Sequence, residues 1–267
     1  MNVTGEQRLL EGFSAWFAGY VAGFYTGDAD HDKNIRLKEE HTGAVRANAV
    51  LIAGALGLSP RDHLLAEAIG LFHDVGRFPQ YRQYRTFRDS DSVNHAALSA
   101  KVLLEENALA PLGPEERDLV VRAVTLHNVF RIPASITGRL RTHAGIARDA
   151  DKLDIWRIFI DILGMSPEER PSAAGLGLVD DGECSPAVLE QLGRREMVTL
   201  DSLRSLNDFK VLQLAWIYDL NTLPALRLTR ERDVIGRLAA TLPRDRGIDA
   251  ALAAVRTYVD ERLERGG

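Results

Sequence analysis

Apolar residues recur at spacings of three and four along most of the chain, the pattern of helices that bury one face. Phe13, Trp16, Phe17, Tyr20, Val21 and Phe24 make the first stripe, which reads as core packing. Val45, Ala49, Ile52 and Leu56 make a second, ending at Gly57, and Ser59-Pro60 then opens a helix with Leu64, Leu65, Ala68, Ile69 and Phe72 that Gly76 stops. Residues 77–88 read as a polar, aromatic loop. Ser90 or Ser92 can cap a helix carrying His95, Leu98 and Val102, and Pro114 opens another with Leu119, Val120, Val124 and His127. Thr142 to Leu163 reads as one long helix. The segment 166–186 is broken by Pro167, Pro171, Gly175, Gly177, Gly182 and Pro186, which makes it a lid or a disordered loop. Beyond it, 187–192, 203–220, 225–242 and 248–263 again show helical spacing, and no period-two run of β-branched residues occurs. The expected fold is all-α, one domain over 1–267 with 187–267 as a C-terminal helical extension.

The longest uncharged stretch near the N-terminus, Gly12 to Gly27, has 16 residues, short of the roughly 20 that span a bilayer. No membrane partner is expected. In a chain of 267 residues with 45% hydrophobic and 27% charged side chains, a sizeable core is affordable and disorder is excluded. Thirty-three basic against 38 acidic residues leave a net charge of -5, so no nucleic-acid polymer is anticipated as partner. Cys184 is the only cysteine, which removes disulfides, CxxC redox pairs and cysteine-based metal clusters and suits a reducing cytoplasm. A homodimer is left open. The glycines at 175 and 177 lack the context of a dinucleotide fingerprint, and neither GxxxxGK[ST] nor GxSxG occurs.

Chemistry therefore rests on the histidines. His31, His63 and His143 have polar or helix-end surroundings and read as surface residues. His41, His73, His95 and His127 instead share helix faces with apolar neighbours, and four buried imidazoles need polar partners. A shared metal satisfies them together. The doublet His73-Asp74 closes an apolar helix, where consecutive side chains can converge on one point; the second doublet, His31-Asp32, lies in a polar run and reads as a solvated loop or cap.

The order His41, His73-Asp74, His95, His127, Asp151 resembles the HD superfamily of metal-dependent phosphohydrolases, over residues 35–160. Its spacings of 32, 21, 32 and 24 residues suit ligands delivered by successive helices. The resemblance implies that His41, His73, Asp74 and Asp151 hold a first divalent metal. His95 and His127 would hold a second, with Asp74 bridging as a ligand and not a base. Asp149 and Asp154 stand as substitutes for Asp151, and second-sphere hydrogen bonding is the alternative for His95 and His127. Asn94 to Leu103 is similar to the third-histidine helix of the HD-GYP phosphodiesterases, but the Gly-Tyr-Pro element is missing, and Asn128-Val129-Phe130 follows His127.

Imidazoles and carboxylates suit Mn, Fe, Co, Ni or Zn, and one or two such ions can acidify water and stabilise the oxygens of a phosphoryl transfer. A phosphate also wants cations of its own. Residues 77–88 carry Arg77, Arg82, Arg85 and Arg88 interleaved with Phe78, Tyr81, Tyr84 and Phe87. Arg77 is the best-placed phosphate contact, resembling the basic residue that follows the family's doublet. Arg82 and Arg85, with Tyr81 and Tyr84 as stacking surfaces, complete the expected substrate contacts, and Lys152 beside Asp151 is a second candidate for the phosphate. The expectation is hydrolysis of a small, nucleotide-like phosphate ester. The alternatives are a diiron oxygenase of HD type and a non-catalytic nucleotide sensor.

Overall fold

Every regular element among the residues described by this computed structural model, 5–166, 168–174 and 182–266, is helical. The chain is all-α. Within the segment 166–186, expected to be a lid or a disordered loop, residues 167 and 175–181 lie outside the described residues; Ser172–Ala174 forms a 3-10 turn, and helix begins again at Pro186. None of the described helices is long and apolar enough to cross a membrane.

The chain divides into two compact units, one of Met1–Asp154 with Glu169–Ala174, the other of Ile155–Glu168 with Gly175–Gly267. The division falls inside the long helix, ahead of the extension expected from 187.

The first unit contains α1 (Gly5–Ala22), α2 (Ala29–Ala55), α3 (Pro60–Phe72), α4 (Arg77–Tyr84), α5 (His95–Glu105), α6 (Pro114–Leu126) and the N-terminal part of α7 (Gly138–Leu163). Phe13, Phe17 and Val21 of α1 pack with Phe72 and Phe78 in one apolar core. Helix α2 starts well before the apolar stripe that predicted it, capped by Asp28, whose carboxylate accepts the His31 N–H at 2.7 Å. Hydrophobic spacing misses that half because its buried face is mostly polar, with Ile35 set among His31, Asn34, His41 and Thr42. Helix α3 crosses α2 closely at Gly70, where a Cβ would stand 3.0 Å from the Arg46 Cα and 3.1 Å from the Ala49 Cβ. That contact lets the end of α3 approach the middle of α2.

Residues 77–84 form a helix where a loop was expected. Phe78 and Tyr81, three apart, give it a buried face despite its polar composition, and Arg85, with φ 55°, ends it in the left-handed region. Helix α5 is capped by Asn94, which accepts from the Ala97 N–H, and not by Ser90 or Ser92. His31 and His143, expected at the surface, are buried because their ring nitrogens find partners. His31 Nε2 meets the Phe24 carbonyl at 2.9 Å, and His143 Nδ1 meets the Arg139 carbonyl at 2.9 Å.

In the second unit, the C-terminal part of α7 accompanies α8 (Pro186–Gly193), α9 (Leu206–Ala215), α10 (Leu223–Glu231), α11 (Val234–Ala239) and α12 (Arg246–Arg265). Trp156 anchors its core, donating to the Gln213 carbonyl at 2.9 Å. The single helix expected over 225–242 is two, separated by Asp233 with φ 48°.

Candidate metal centre

Three of the four candidate histidines sit at helix ends. His73 caps α3, His127 caps α6 and His95 opens α5, while His41 lies within α2 and Asp151 on α7. The last turn of a helix leaves carbonyls without partners, and the two capping imidazoles use them identically. His73 Nδ1–H donates to the Gly70 carbonyl at 2.9 Å and His127 Nδ1–H to the Val124 carbonyl at 2.7 Å. Carboxylates hold the other two: Asp154 lies 2.7 Å from His41 Nδ1, and Asp89 lies 2.6 Å from His95 Nδ1. Each Nδ1 is thereby bound outward, and every Nε2 faces inward.

The Nε2 atoms meet in pairs around Asp74. His41 and His73 stand 3.4 Å apart and lie 3.6 and 3.7 Å from Asp74 Oδ2. His95 and His127 stand 2.9 Å apart and lie 3.5 and 3.7 Å from Asp74 Oδ1. Asp151 Oδ1 lies 3.1 Å from His41 Nε2 and 3.8 Å from His73 Nε2, and it also groups with His127 within ligand reach. All six sequence candidates for metal ligation are thus brought together.

This donor set fits a divalent transition metal. Two nitrogens each bound at ~2.1 Å to one ion stand about 3.0–3.4 Å apart at octahedral or tetrahedral angles, close to both observed pairs. Facing imine lone pairs at such distances repel unless a cation or proton lies between them, and Asp74 Oδ1 is buried without a hydrogen-bond partner. These groups can hold such an ion.

Except at His41, the protonation states agree with ligation, which needs neutral imidazoles and ionised carboxylates. Burial holds His73 and His95 below the ordinary imidazole range, helped at His95 by Arg77, and it pushes His127 down to about 3 with His95 and His73 as like neighbours. Burial works against the charges of Asp74 and Asp151, yet both lie below the usual carboxylate range. Lys38, His73 and Arg77 hold Asp74 down, and His41 and His73 hold Asp151 down. At His41, burial and Lys38 oppose the charged form, but hydrogen bonds to Asp151 and Asp154 outweigh them and the pKa rises. Asp89 falls to about 2 against its burial, through His95 and Arg77.

The expected substrate contacts are placed unevenly. Arg77 reaches the cluster: its Nε lies 3.5 Å from Asp74 Oδ1, while Nη1 donates to the Phe87 carbonyl at 2.6 Å, Gln80 at 2.9 Å and Asp89 at 3.0 Å. Arg82 instead donates to the Gly23 carbonyl and covers the Phe24 ring, with its guanidinium 3.8 Å from the centroid. Arg85 bonds His31 and lies 5.7 Å from the Tyr81 ring. Tyr81 is itself buried between His31 and Phe87, and Tyr84 is exposed. The helical twist of 77–84 accounts for this, since it sends successive side chains around the axis where a loop would have let them share one side. Lys152 is buried on α7.

Three residues of the site, Asp89, Lys38 and Arg148, escaped the sequence, and a fourth, Asp154, has another role than expected. Asp89, six positions before His95, and Lys38, one helical turn before His41, had local signals in their spacing. Asp154 was weighed as a ligand and serves instead as the partner of His41. Arg148 is fully buried and donates to the carbonyls of His127 at 3.1 Å, Phe130 at 3.2 Å, Leu126 at 3.3 Å and Val129, so its guanidinium fixes the corner that presents His127. Arg148→Met should cost about 2–3 kcal/mol, because it strands those carbonyls. Thermal melts check this, and metal content should fall through the loosened His127.

The family model of the HD domain matches residues 39–156, from just before His41 to just after Asp154. No curated protein and no solved structure matches the chain significantly. Residues 39–156 thus match the HD domain, and the helical fold and the His/Asp cluster of that segment agree with the match.

Proposed function

We propose that this HD domain is a metal-dependent hydrolase of a small phosphate ester, nucleotide-like in kind. The observation that carries the reading is the division of Asp74. One oxygen faces the His41/His73 pair and the other the His95/His127 pair, with a cation, Lys38 or Arg77, beside each oxygen. A divalent ion bound here supplies an acidified water and a Lewis acid for a phosphoryl oxygen.

The chain's own residues do the rest. His41, His73, Asp74 and Asp151 would hold one ion, and His95 and His127 would hold a second across Asp74. Asp154 and Asp89 keep the His41 and His95 rings turned inward, as carboxylates behind metal-binding histidines do. Asp74 is surrounded by charge that keeps it ionised, so it serves as a ligand and does not take a proton. Arg77, braced by three acceptors, presents fixed positive charge to a phosphoryl group. Lys152 is the next candidate contact on the α7 side. The same six donors would also suit a diiron oxygenase, and a sensor domain would bind without turnover.

Protein purified without chelator should carry Mn, Fe, Co, Ni or Zn and release phosphate or a phosphate ester from some member of an ester panel. Metal without turnover on any ester, accompanied by oxygen consumption, would assign the oxygenase instead. His95→Ala and His127→Ala should each lower the stoichiometry by about one ion and leave the other in place. A wild type that saturates at one ion per chain rules out the two-ion centre.

A further inference from the structure

We propose that Lys38 is a substrate-contacting residue of this centre, which leaves Asp74 to grip the phosphoryl group; the inference rests on the phosphoester reading above.

Lys38 precedes His41 by one turn of α2, so the helix that delivers a ligand also delivers this ammonium. Its Nζ donates to Asp74 Oδ2 at 2.9 Å and also lies 5.2 Å from the centroid of the Phe87 ring. An ammonium has three N–H donors. Among the described residues Asp74 is its one hydrogen-bond partner, so two donors remain. The Lys38 side chain is 15% exposed while that of Asp74 is 3% exposed, so the lysine is the more solvent-accessible member of the pair.

Arg77 stands on the other carboxylate oxygen, but three acceptors fix its Nη1. Lys38 has no such brace, and its four-carbon stem is flexible. The two cations therefore differ in kind: Arg77 is a fixed wall and Lys38 a mobile contact. Asp74 Oδ2 faces His41 and His73, the residues that would hold a metal there and so relieve Lys38 of balancing the carboxylate. The ammonium would then be free beside the centre to donate to an incoming phosphoryl oxygen. Phe87 keeps it at the rim, held there by Tyr81, 5.1 Å from ring to ring.

Calorimetric titration of metal-loaded protein with inorganic phosphate tests this. Lys38→Met should keep the metal stoichiometry and bind phosphate about tenfold or more weakly, the loss expected for one charge-assisted hydrogen bond. Lys38→Arg should recover most of the affinity and serves as the folding control. Wild-type phosphate affinity in Lys38→Met would overturn the assignment alone, and so would loss of metal, which would make Lys38 a support for Asp74. A metal-loaded wild type that binds no phosphate would overturn the phosphoester reading and Lys38 with it.

Discussion

Asp74→Ala should leave the purified protein without bound metal. Each Asp74 oxygen faces one pair of imidazoles, so a single truncation removes a ligand from both halves of the centre. It also strands Lys38 and Arg77, two cations that the carboxylate balances. Bound metal stabilises only the folded state, by roughly 3 kcal/mol at a hundredfold excess over its dissociation constant. Added Mn or Zn should therefore raise the melting temperature of the wild type and leave that of the variant unmoved. The proposed phosphoesterase turnover should fall by about three orders of magnitude or more, as expected when an electrostatic centre is lost whole. A variant that still takes up metal and still melts higher in its presence would show that the ions are held elsewhere.

Gly76→Ala is expected to do comparable damage from a position that supplies no ligand itself. A Cβ there would stand 2.5 Å from the Ser99 nitrogen and 2.6 Å from the His95 carbonyl oxygen, both backbone atoms that cannot turn aside. The Gly76 N–H also donates to Ser99 Oγ at 2.8 Å, so α5 is bound directly to the loop that carries His73-Asp74. Forcing a methyl group into that contact should displace the first turn of α5 and His95 with it. The cost is about 1–3 kcal/mol, the range for overpacking, and toward its upper end because the obstacle is backbone. Melting temperature and metal content of the purified variant check both halves. An unchanged melt would mean that α5 is free to shift.

The sequence showed most of the helices because their buried faces are apolar, as in α1, α3 and α6. It missed the first half of α2, where the buried face is mostly polar, and it missed α4, whose composition resembles a loop although Phe78 and Tyr81 bury one side. The six residues at the centre were legible because polar side chains on apolar faces demand partners, and because their order resembles a known family. What held them in place was not. Asp154 lies 113 residues from His41, and Arg148 works through backbone carbonyls that carry no sequence signature. Charge density alone also misled. Arg82 and Arg85 drew attention as phosphate contacts, yet Arg82 bonds the turn after α1 and Arg85 bonds His31 in the first turn of α2.

The central claim is that one metal-binding centre is formed by imidazoles whose Nε2 atoms converge on Asp74. Crystals of protein loaded with Mn or Fe, measured at the metal's absorption edge, test it most directly. The account predicts an anomalous peak bounded by His41, His73, Asp74 and Asp151, and a second bounded by Asp74, His95 and His127. Metal-loaded crystals whose anomalous peaks all lie away from Asp74 would contradict it.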